Sequence, residues 1–71
     1  MSEVRKYAVT VHHNDGVTVT TLHLSTADEE TKLRQIALDL NLVIDDHGFT
    51  VADPDIRQVT IRHALETQHH H

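Results

Sequence analysis

An α+β fold, a small mostly antiparallel sheet of four to five strands packed on one helix, is predicted by three features of the sequence. Two alternating, Val- and Thr-rich segments flank Asn14-Asp15-Gly16, an amphipathic segment follows a run of capping residues at 25–30, and another alternating segment starts near Ile56. The predicted order is ββα and then one to three strands.

Tyr7, Val9 and Val11 alternate with Ala8, Thr10 and His12, the period of a half-buried strand. Val17 to Leu24 forms its hairpin partner, because Asn14-Asp15-Gly16 supplies residues that tolerate left-handed backbone. A three-residue loop sets Val11 against Val19, Val9 against Thr21 and Tyr7 against His23. The apolar residues of the second strand slip by one at Thr20-Thr21, so a bulge there, or a two-residue Asp15-Gly16 turn, would bring Leu22 opposite Val9. Both of these alternatives place Tyr7, Val9, Leu22 and Leu24 on the core side.

Thr26 followed by Glu29 reads as a capping box, and Leu33, Ile36, Ala37 and Leu40 make one apolar stripe, with Leu38 off it. Asn41 is expected to end the helix in the left-handed region, ahead of a short second hairpin around Asp45-Asp46-His47-Gly48. A longer helix ending at Gly48 is the competing reading. Ala52-Asp53-Pro54-Asp55 is a loop, and the last strand, from about Ile56 to Ala64, turns Val59 and Ile61 inward. The arrangement, length and helix placement resemble a ubiquitin-like β-grasp in topology, and a simpler ββαβ layer accommodates the same elements.

With 71 residues, the chain is read as one domain over 1–68, with 69–71, three histidines, as the remnant of a purification tag. At this size the core is thin and nearly every long apolar residue is expected in it. No Cys is present, which excludes disulfides and thiolate metal sites. No apolar run approaches the ~18–20 residues of a membrane span, and Met1-Ser2-Glu3-Val4 does not read as a signal peptide, so a cytoplasmic protein is expected.

Eleven Asp or Glu against six Lys or Arg give a net charge of -5, which disfavours a phosphate-backbone binder. His12 and His13 beside Asp15 invite a metal or base reading, but neighbours in a strand point to opposite faces. His23 and His63 would meet only if the last strand lay beside the second. Asp45, Asp46, His47, Asp53 and Asp55 form the densest polar cluster, without the oxygen ladder of a calcium loop. No catalytic residue, metal ligand or cofactor is assigned. The expectation is a protein–protein interaction module acting through a sheet face or edge, with Thr10, His12, Val17, Val19, Thr60 and Arg62 as partner-binding residues. Its partner is another protein, for instance one with a basic surface, or a second copy in a homodimer. Nucleic-acid binding through the sheet face, and a weak metal-dependent or enzymatic role for the His and Asp residues, are the alternatives. For the former, convergence of Arg5, Lys6, Arg57 and Arg62 on one face is the discriminating feature.

Overall fold

The computed structural model describes residues 3–64; the tag reading for 69–71 lies outside them. Strands β1 (Arg5–His13) and β2 (Thr18–Ser25), helix α1 (Glu29–Asp39) and strand β3 (Ile56–His63) follow in that order. The strands form one antiparallel sheet in the order β2-β1-β3. This is the simpler ββαβ layer, with three strands instead of four or five. Residues 43–51 do turn back on themselves, but they make only isolated bridges, Ile44 to Thr50 and Phe49 to Gln58, too short for a ladder. Among the described residues, no helix is long and apolar enough to cross a membrane.

The β1–β2 turn is the three-residue loop. Gly16 takes φ +94°, the His13 amide donates to the Val17 carbonyl at 2.8 Å, and Asp15 Oδ1 accepts the Val17 amide at 3.0 Å. From this turn the register runs unbroken, with Val11 opposite Val19, Val9 opposite Thr21 and Tyr7 opposite His23. No bulge interrupts β2; the register shift in the sheet lies between β1 and β3, at His12 and His13. Leu22 and Leu24 therefore face away from the core, contrary to the sequence expectation.

Tyr7, Val9 and Val59 form the buried centre of the sheet, and Ile36 and Ala37 of α1 close over them with Leu42. Tyr7 also donates its hydroxyl to the Ala27 carbonyl at 2.6 Å, pinning the connection that leads into the helix. The core is smaller than expected. Val17, Val19, Leu22, Leu24, Leu38 and Val43 are among the exposed apolar side chains: α1 packs mainly on β3, leaving Val17 and Val19 uncovered on the helix side, and Leu22 and Leu24 lie on the opposite face. Leu33 is half-buried, and Leu40 leaves the stripe as the C-cap residue.

The helix begins later than the Thr26–Glu29 box implied. Asp28 is the N-cap, its Oδ1 accepting the Thr31 amide at 2.8 Å, while Ser25 Oγ accepts the Ala27 amide in the connecting turn. At the other end Asn41 adopts φ +59°, as expected. The Leu42 amide reaches the Ala37 carbonyl and the Asn41 amide the Leu38 carbonyl, the paired bonds of a Schellman motif, and Leu42 packs beside Ala37 in the core.

The Thr31 amide holds the Asp28 carboxyl below the usual carboxylate range. A group whose pKa is depressed on folding stabilises fully above its unfolded value, ~3.9, and loses that contribution as pH falls through the folded value. Asp28→Ala is thus expected to lower the thermal midpoint at neutral pH and to lower it by less in acid, as the pH falls through the folded value. Equal losses at neutral and acid pH, read by circular dichroism melts, would contradict the capping role.

Candidate functional site

The register places Lys6, Ala8, Thr10 and His12 of β1 on the sheet face opposite the helix, beside Thr18, Thr20, Leu22 and Leu24 of β2 and Gln58, Thr60 and Arg62 of β3. Four expected partner-binding residues, Thr10, His12, Thr60 and Arg62, are thus brought together. Thr10 and Thr60 are paired across the strands, His12 Nε2 lies 3.2 Å from Thr60 Oγ1, and Thr10 Oγ1 lies 2.9 Å from Thr20 Oγ1. The Thr10 and Thr20 hydroxyls thus bond to each other and the Thr60 hydroxyl to the His12 ring, on the face opposite the helix.

Val17 and Val19 do not share that face. Val19 pairs with Val11, so its side chain projects on the helix side, and β2 lies beyond the helix's cover. Their exposure, 52% and 47%, makes them a second apolar strip on the same strand. Sequence reasoning missed Leu22 and Leu24, 60% and 71% exposed, which with Val4, Ala64 and the Lys6 stem surround a shallow depression at one corner of the outer face. The signal for them was present in the unbulged hairpin register, which turns both leucines outward.

β2 consequently carries apolar side chains on both faces and is one edge of the sheet; the other edge, β3, is partly bridged by the 48–50 segment, through the Val59 amide to the Gly48 carbonyl and the Thr50 amide to the Arg57 carbonyl. Its ladder alternates. The Val17 carbonyl bonds to the His13 amide, while on the other side of β1 the Ala64 amide bonds to the Lys6 carbonyl. Val19, Thr21 and His23 therefore direct their amides and carbonyls to β1, and Thr18, Thr20, Leu22 and Leu24 direct theirs to the open edge.

The carboxylates lie off the outer face, and the cations are divided between the two sides. Lys6 and Arg62 sit on the outer face, which holds no carboxylate, whereas the positions of Arg5 and Arg57 in the alternation belong to the helix side. The four cations do not converge. On the helix side Glu29, Glu30, Asp45 and Asp46 line an open groove with Leu33 and Ile61, and Arg34, 2.9 Å from Glu30, lines it too. Asp45 Oδ1 accepts the His47 and Phe49 amides, and Asp53 Oδ1 those of Asp55 and Ile56, so these two carboxylates build their own loops.

His23 and His63 do not approach each other, because the last strand lies beside β1. They flank Tyr7, His23 bonding Thr21 and His63 resting 3.4 Å from Glu29 Oε2. Among the described residues no three His, Asp or Glu side chains are grouped to hold a metal ion. No family model matches the sequence, and neither a curated protein nor a solved structure matches the chain.

Proposed function

We propose that the chain is a small protein–protein interaction module, an adaptor, inhibitor or regulatory subunit, that acts without catalysis through its sheet face and edge. The observation that carries this reading is the bareness of β2: Ile36 and Ala37 of the helix close over Tyr7 and Val9 of β1 and Val59 of β3, while every residue from Thr18 to Leu22 is exposed. Apolar side chains held outward on a rigid strand gain free energy only when a partner covers them, at roughly 25 cal/mol per Å² buried. The net charge of -5 favours a protein partner with a basic surface, through faster encounter.

Affinity capture with the full chain at low ionic strength, followed by titration of the retained protein, tests this. Binding is expected to weaken as salt rises, since the Debye length shrinks to about 8 Å at physiological ionic strength. Leu24→Asp, on the outward face, is expected to leave the fold intact and weaken binding at least about tenfold. Capture of no protein, or binding indifferent to Leu24→Asp, would overturn the reading.

A further inference from the structure

The edge of β2 is free of fixed charge. From Val17 to Ala27 the chain contains no Asp, Glu, Lys or Arg, although the molecule carries a net charge of -5. Edge strands are ordinarily protected from self-pairing by charge, proline, a bulge or brevity. β2 has none of these: it is eight residues long, its pairing with β1 is regular, and no side chain in it is a carboxylate, ammonium or guanidinium. This strand meets its own image without like charges.

We infer that β2 pairs antiparallel with β2 of a second copy, joining two three-stranded sheets into one of six strands. This deepens the interaction reading, on which it rests, by naming the occupant of the edge. The register follows from the ladder. Outward-directed residues must face outward-directed residues, and only a two-fold axis through Thr21 pairs all four of them with one another: Thr18 with Leu24 and Thr20 with Leu22 of the other copy, each twice. The axis leaves both helices on the same side of the joined sheet. On the helix side Val19 then meets His23 of the second copy, and on the outer side each leucine packs against a threonine methyl, so both faces of β2 gain cover.

Sedimentation equilibrium across about 10 µM to 1 mM, a span chosen for weak association, tests the pairing on the full chain. A monomer–dimer equilibrium is expected that strengthens with added salt, because two copies of net charge -5 repel at long range. That salt response is opposite in sign to the one expected for a basic partner. Thr20→Pro removes an amide that faces solvent in the monomer, so the fold survives and the dimer is lost. The register has its own test: Thr20→Lys with Leu22→Lys sets like charges opposite each other and gives a monomer, whereas Thr20→Glu with Leu22→Lys sets opposite charges together and restores the dimer. A wild-type chain that stays monomeric throughout, or a Thr20→Pro chain that dimerises equally well, overturns the inference. If the chain is monomeric while a captured partner remains bound, self-pairing alone falls and the interaction reading stands.

Discussion

Gly48→Ala is expected to cost about 2–4 kcal/mol, the sum of a left-handed backbone penalty of ~1–2 kcal/mol and a steric collision. Gly48 holds φ +82°, and a Cβ built on it would overlap the carbonyl oxygen of Val59. Neither partner can retreat. The Gly48 carbonyl accepts the Val59 amide at 2.8 Å, and the Val59 side chain is fully buried in the core. A domain of this size has roughly 4–10 kcal/mol of stability in total, so the loss is a large fraction of it. Gly16→Ala supplies the control, because Gly16 is also left-handed, at φ +94°, but a Cβ there meets nothing within 4 Å. Its cost is expected near 1 kcal/mol. Urea unfolding of both variants separates backbone conformation from collision, and equal losses would contradict the close approach of the 45–49 turn to β3.

Tyr7→Ala is expected to cost about 3–5 kcal/mol, the range for truncating a large buried ring, and so to leave little or no folded protein. Tyr7 is fully buried on the central strand, its ring lies 4.9 Å from that of His63, and its hydroxyl reaches the Ala27 carbonyl. Tyr7→Phe keeps the ring and removes the bond, at a cost near 1 kcal/mol. The two variants divide the residue's role between packing and anchoring the turn before α1. Chemical denaturation that shows Tyr7→Phe as stable as wild type would mean that the hydroxyl contact does not hold that turn.

Local chemistry made much of this fold legible. Asn14-Asp15-Gly16 encoded its turn, Asn41 encoded the end of the helix, and the alternation around Val59 and Ile61 encoded the inward face of β3. What stayed hidden was which strand would lie at the edge. Apolar character marks the inside only where something covers it, and Leu22 and Leu24, opposite Ala8 and Lys6, sit on the sheet face turned away from the helix. Giving those leucines to the core therefore forced a bulge that does not exist. The helix start was misread for a related reason: Ser25, Thr26 and Asp28 all have capping side chains, and the position of Ala27 under the Tyr7 hydroxyl favours Asp28. Of the candidate site, Thr10, His12, Thr60 and Arg62 followed from alternation alone. Val17 and Val19 are separated from them by the register of the three-residue loop, which sets Val19 opposite Val11 on the helix side.

The bare edge strand is the claim on which both functional readings depend, and residue-resolved amide hydrogen exchange along β2 measures it directly. In dilute protein Val19, Thr21 and His23 are expected to be protected by β1 while Thr18, Thr20, Leu22 and Leu24 exchange rapidly; in concentrated protein the second set should become protected as well. Slow exchange at Thr20 and Leu22 in dilute protein, with fast exchange at Val19 and Thr21, would place the leucines' backbone against β1 and contradict the account.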